Sequence, residues 1–180
     1  MRAYVGLQPP KHVRESISQH LARLSSEPNA AWVGPDHFHV TLRFLGDVRA
    51  HEKDFEDFKA ACAMTPARTV TFDGNLQELG GNALVVPVSG ADDLGYLARQ
   101  TVDKAADVIE PDRFFGHMTV SLPSSAAELA WAAEMVGSEV GGEWFADDVC
   151  LFISEVTDGA KRYRVIERFP LALPALAGER

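Results

Sequence analysis

The chain has 180 residues, is 46% hydrophobic and 24% charged, and carries a formal net charge of −9. That is enough apolar chain for one domain or two small lobes with a real core, without disulfides or a structural metal. The acidic balance argues against tracking along a DNA or RNA duplex, which needs clustered Lys and Arg, but allows a local basic cleft for one or two phosphates.

In chain order, Ala3 to Leu7 reads as a strand, and Pro9-Pro10 opens a helix with one apolar stripe of Val13, Ile17, Leu21 and Leu24. After a loop, a strand is predicted from His37 to Phe44, closed by Gly46-Asp47. A helix from His51 to Met64 follows, then a strand from Arg68 to Leu79 and a turn at Gly80-Gly81-Asn82. The order then repeats: a strand from Ala83 to Val88, a helix from Asp93 to Ile109, and a strand from Phe115 to Leu122. Ser125 with Glu128 forms a capping-box signature for a helix to about Val136. Strands are predicted from Trp144 to Glu155 and from Tyr163 to Phe169, around a turn at Asp158-Gly159, before a frayed tail from Pro174. Cys62 and Cys150 lack a Cys-x-x-Cys spacing and are expected as buried free thiols in a reducing compartment. The N-terminal segment is too soon broken by proline for a signal peptide, and no run of about 18 apolar residues exists, so a cytoplasmic protein without a membrane partner is expected.

This is a duplicated α+β unit, over about residues 2–80 and 83–170, with an extra C-terminal hairpin. The expected fold is bilobal: two antiparallel sheets flanked by helices, pseudo-two-fold, with a cleft between the lobes. The repeat carries a chemical signature. His39-Val40-Thr41-Leu42 returns as His117-Met118-Thr119-Val120. On a strand, residues i and i+2 share a face. Each copy therefore presents an imidazole beside a hydroxyl. Strict alternation adds Arg43 to the first face and Ser121 to the second, opposite Val40, Leu42 and Phe44, and Met118, Val120 and Leu122. Solvation alone does not explain the same His-x-Thr at equivalent places of a repeat.

Two histidines and two threonines suit metal-independent phosphoester chemistry. Imidazole titrates near 6.5, so one ring can take a proton while the other gives one. Thr41 and Thr119 would hold phosphate oxygens, with Arg43 adding positive charge. A zinc or manganese site on His37, His39 and His117 is the alternative, but no acidic pattern completes it, so no metal or cofactor is expected. Tyr4 and Phe114 are the candidates for stacking a base. His12, His20 and His51 are expected on the surface, and Glu52 to Asp57 as a solvated helix face.

The chain resembles the 2H phosphoesterase superfamily, and within it the RNA 2′,3′-cyclic phosphodiesterase branch (LigT-like, historically 2′-5′ RNA ligase). The carriers are Trp32-Val33-x-Pro35-Asp36-x-Phe38-His39-Val40-Thr41-Leu42-Arg43-Phe44-Leu45-Gly46 and Phe115-Gly116-His117-Met118-Thr119-Val120, with Met1 to Val5 and Tyr163 to Leu171 as terminal strands. The resemblance implies hydrolysis of a 2′,3′-cyclic phosphate on RNA or a nucleotide to a 2′-phosphomonoester. It makes His39 the proton donor, His117 the proton acceptor, and Thr41 and Thr119 the phosphate ligands. Two positions depart from the family pattern: Gly116 replaces a proline, and Leu122 replaces an arginine. Other readings stay open at this point. They are reversible 2′-5′ RNA ligation, hydrolysis of another small cyclic phosphate, and a non-catalytic module that binds RNA ends or nucleotides. A monomer is expected.

Overall fold

Pro9 and Pro10 separate the first strand from the first helix, because a fixed φ and a missing N–H suit a helix start and end a ladder. The computed structural model describes residues 2–47, 54–157 and 160–174. Its elements are β1 (Arg2–Leu7), α1 (Lys11–Leu24), a 3-10 turn (Pro35–His37), β2 (Val40–Gly46), α2 (Glu56–Met64), β3 (Arg68–Asn75), β4 (Gln77–Leu79), β5 (Ala83–Ser89), α3 (Asp92–Thr101), β6 (His117–Ser121), α4 (Ala126–Met135), β7 (Glu139–Ala146), β8 (Asp148–Thr157) and β9 (Ala160–Pro170). The predicted start of α2 at His51, the Asp158-Gly159 turn and the end of the tail lie outside the described residues.

The strands run β7-β3-β5-β6-β2-β1-β8-β9 across an antiparallel sheet, with β4 paired to β5 off this path. The order is symmetric about the β6–β2 junction, with four strands on each side. The predicted C-terminal hairpin, β8 and β9, extends the β1 side. On the other side β3 and β7 hold the corresponding outer places. Helices cross between repeats: α1 packs on β7 and α3 on β2.

Binary patterning explains the layers. Ile17 and Leu21 of α1 are buried, with Val13 and Leu24 against the same core. That core runs through Val5, Val40, Leu42, Val86, Met118 and Val120. Tyr4, Cys150 and Phe152 form a separate small cluster, with Tyr163 and Val165 packed against it. Both cysteines are free and buried, and burial pushes each thiol up to about 12. The capping box is present: the Ser125 hydroxyl accepts from the Glu128 N–H, and the Glu128 carboxylate accepts from the Ser125 N–H.

Two predicted strands are each two strands in fact. The run from Arg68 to Leu79 breaks at Leu76, whose N–H donates to Ser138 O at 2.8 Å and whose carbonyl accepts from Gly137 N–H at 2.9 Å. A tertiary contact with the α4–β7 connection thus takes the ladder's bonds. Beyond it, β4 turns into β5 across Gly80 and Gly81, both at positive φ. The run predicted from Trp144 begins earlier, at Glu139, and breaks at Asp147, whose carbonyl accepts from Leu171 N–H at 2.8 Å. Among the described residues no helix is long and apolar enough to cross a membrane.

Gly6 lies where the sheet tolerates no side chain. A Cβ there would sit 2.6 Å from the Val40 carbonyl oxygen, in the backbone beside the first motif. Gly6→Ala should therefore force β1 from β2 and cost about 1–3 kcal/mol. A thermal denaturation curve that matches the parent protein would contradict this close approach.

Candidate active site

The two motifs meet at one backbone pair, Val40 with Met118, where β2 and β6 run antiparallel. Each of these residues stands between the His and the Thr of its motif. Antiparallel register then sets His39 opposite Thr119 and Thr41 opposite His117. Val40 and Met118 are buried in the core. The four polar side chains lie on the other face and line one cavity. The structure thus brings together all four residues expected from the repeat.

The imidazoles are held alike. His39 Nδ1 is 2.6 Å from the His37 carbonyl oxygen, and His117 Nδ1 is 2.7 Å from that of Phe115. A carbonyl oxygen only accepts, so each Nδ1 carries a hydrogen and donates it. Nε2 is then the atom through which either ring exchanges a proton. The surroundings differ. His39 sits among the rings of Tyr4, Tyr163 and Phe152, with centroids at 4.8, 5.2 and 5.5 Å. His117 stacks on Phe115 at 5.2 Å. Burial lowers the His117 pKa below the ordinary imidazole value, against the opposing effect of its bond to Phe115 O.

Both motif strands lose their alternation just after the threonine. Gly6 pairs with Thr41 but Val5 with Arg43, so Leu42 is an extra residue on β2. Val85 pairs with Thr119 but Leu84 with Ser121, so Val120 is extra on β6. Such a bulge resets which side chains face which way. The consequence at Arg43 corrects the expectation that it shares the face of His39 and Thr41. Arg43 turns to the far side, opposite Val5, where Nε and Nη2 donate to the two carboxylate oxygens of Glu110 at 2.9 and 3.0 Å. Its Nη1 donates to the carbonyls of Ala98, Arg99 and Val102. Arg43 thus closes the C-terminus of α3, which ends at Thr101 rather than at the predicted Ile109. Ser121 is likewise withdrawn: it is fully buried, and its hydroxyl donates to Ala31 O at 2.7 Å.

The same bulges bring the third residue after each threonine to the cavity. Phe44 and Leu122, 56% and 50% exposed, both line it. Sequence reasoning missed Phe44 because strict alternation placed it in the core. The matched offset from Thr41 and Thr119 was the available signal. The stacking candidates are corrected too. Tyr4 lines the cavity but is only 2% exposed, because its ring lies flat on Phe152 at 4.8 Å. It is floor beneath His39, and burial, then Tyr163 and Cys150, push its phenol far up. Phe114 packs on α3, where a Cβ at Gly95 would meet its ring at 2.6 Å. Phe114 is half-buried there, and its counterpart Phe38 is fully buried. Beside the motifs, Phe44 and Phe115 are exposed, while Tyr163 and Phe114 are half-buried.

His37 does not share a strand face with His39. It ends the 3-10 turn and meets Tyr163 edge-on at 5.1 Å. Among the described residues no group of three His, Cys, Asp or Glu side chains is placed to hold a metal, so the three-histidine alternative does not assemble. At Gly116 a Cβ would lie 3.0 Å from the Val88 carbonyl oxygen, a fit that suits glycine beside β5.

Removing the Arg43 guanidinium should act on stability. Its side chain and that of Glu110 are 10% and 20% exposed, and Arg43→Met would strand the carboxylate and three carbonyls. The expected loss is about 3–5 kcal/mol in urea unfolding, as for other broken buried pairs. An unchanged midpoint would return Arg43 to the list of ligand-binding candidates.

Residues 7–80 match a family model described as LigT like Phosphoesterase. No curated protein matches the chain in sequence. Among solved structures, Escherichia coli LigT complexed with NADP+ is 25% identical with a TM-score of 0.70, over 95% of this chain and 97% of that one. The Thermus thermophilus protein TT0787 is 20% identical with a TM-score of 0.72, over 95% and 98%. Kluyveromyces marxianus Usb1 is 10% identical with a TM-score of 0.54, over 94% and 97%. The model match across the first motif, joined to a likeness of fold that runs through the second, points to the LigT-like phosphoesterases of the 2H superfamily as the proteins this chain is similar to.

Proposed function

We propose that this chain hydrolyses a 2′,3′-cyclic phosphodiester, at an RNA end or on a nucleotide, to a 2′-phosphomonoester. The observation that carries the reading is the pair of imidazoles, each with Nδ1–H fixed by a carbonyl two residues earlier, in one cavity with Thr41 and Thr119. The E. coli relative has been crystallised with 3′-AMP, ATP and phosphate, which supports a ligand of this class.

The steps follow from the side chains. Burial keeps His117 neutral near pH 7, so its Nε2 accepts a proton from a water molecule. The water oxygen attacks phosphorus, and the bond from phosphorus to the 3′ oxygen breaks. His39, protonated on Nε2, gives its proton to that leaving oxygen. The Thr41 and Thr119 hydroxyls donate to the non-bridging phosphate oxygens as charge builds on them. No residue in this scheme requires a metal ion.

The test is turnover of cytidine 2′,3′-cyclic phosphate in excess chelator, with the product identified as the 2′-monophosphate. His39→Ala and His117→Ala should each slow the chemical step by about 10²–10⁴-fold. Binding without turnover, indifferent to both substitutions, would instead indicate a module that only holds RNA ends. A new bond to an added 5′-hydroxyl oligonucleotide would indicate ligation.

The pH profile carries a further expectation. A base with a lowered pKa stays unprotonated to lower pH. The acid limb of kcat/KM should therefore fall below the ordinary imidazole value of about 6.5. His117→Ala should remove that limb. An acid limb at or above the ordinary value would deny His117 the role of base.

A further inference from the structure

The cavity that holds the two motifs continues across β1, β8 and β9, where nothing in the hydrolytic scheme has been assigned. Arg2, Tyr4 and Gly6 share one face of β1 by alternation. Arg2 and Tyr4 line the cavity. Of the described residues that line it, Arg2 alone bears a permanent charge, and no carboxylate lies among them to neutralise it. The two equivalent positions beyond the motif threonines, Phe44 and Leu122, are apolar. The permanent positive charge of the cavity therefore rests on Arg2.

That end is built as well as charged. Arg2 pairs directly with Ser154 on β8, and Ser154 is buried and lines the same cavity. Directly opposed side chains in a ladder lie within about 5 Å of each other at Cβ, so both side chains leave the sheet at the same end of the cavity. Between this pair and His39 lies Tyr4, whose Oη is buried with no hydrogen-bond partner. Gly6, opposite Thr41, is four residues from Arg2, or about 13 Å of strand. That spacing sets the Arg2–Ser154 end of the cavity apart from the end lined by Thr41 and Thr119.

We propose that Arg2 and Ser154 form a second anion subsite, which takes the phosphate adjoining the reacting one and so selects an RNA end over a mononucleotide. The proposal rests on the phosphodiesterase reading above and narrows its substrate class. A guanidinium offers several donors in a planar fork to phosphate oxygens, and the hydroxyl adds another.

The experiment compares kcat/KM for cytidine 2′,3′-cyclic phosphate and for a dinucleotide that ends in the same cyclic phosphate. The expected result is a preference for the dinucleotide of about tenfold or more, expressed mainly in KM and weakened by salt. Arg2→Gln should bring the ratio close to one, Arg2→Lys should keep part of it, and Ser154→Ala should lower it without the charge change. No preference in the parent protein, or an equal loss on both substrates in Arg2→Gln, would overturn the subsite while leaving the phosphodiesterase reading intact. If neither substrate turns over, that reading fails. The subsite is then judged by binding of a dinucleotide 3′-phosphate, which Arg2→Gln must weaken more than it weakens binding of cytidine 3′-monophosphate.

Discussion

Everything at this site depends on one antiparallel backbone pair, Val40 with Met118. It joins two four-stranded halves and sets the register between the motifs. A shift of either strand by one residue would turn the histidine and threonine of its motif into the core, and its Val40 or Met118 into the cavity. The burial of Val40 and Met118 is therefore what holds the polar residues on the open face. Hydrophobic patterning here selects catalytic geometry as well as fold.

The bulges extend this control. An extra residue after each threonine turns the next polar side chain away from the cavity and sends the one after it back. In the first motif the displaced residue, Arg43, becomes the closure of α3 and ties that helix to β2. In the second, Ser121 ties β6 to the segment before the 3-10 turn, where Val33 N–H also donates to Val120 O at 2.8 Å. Each motif strand is thus braced by a segment of the other repeat. Structural and chemical roles alternate along a few residues, which keeps the imidazoles on rigid backbone.

These features mark the limit of what was legible in the sequence. The repeat, the strand–helix order, the capping box and the two His-x-Thr faces could be read because each rests on local periodicity. The helix end at Thr101 could not, since Arg43 supplies it from far along the chain. Nor could the roles of Phe114 and Phe115 be told apart. They are adjacent aromatics, one taken up by the gap at Gly95 and the other left on His117. A period of two predicts faces only while pairing is regular. Strand breaks at Leu76 and Asp147 have the same origin, because loops compete for the ladder's hydrogen bonds.

Near-symmetry of backbone does not give symmetry of chemistry. Both imidazoles are oriented by the same local hydrogen bond, so orientation alone cannot divide acid from base. Their packing differs: burial favours the neutral form of His117, while His39 rests on an aromatic floor that includes the buried Tyr4 phenol. The two motif strands present their rings on either side of one strand junction. The few side chains around them differ, Phe115 on one side and Tyr4, Phe152 and Tyr163 on the other, so the two rings sit in unlike surroundings on matched backbone.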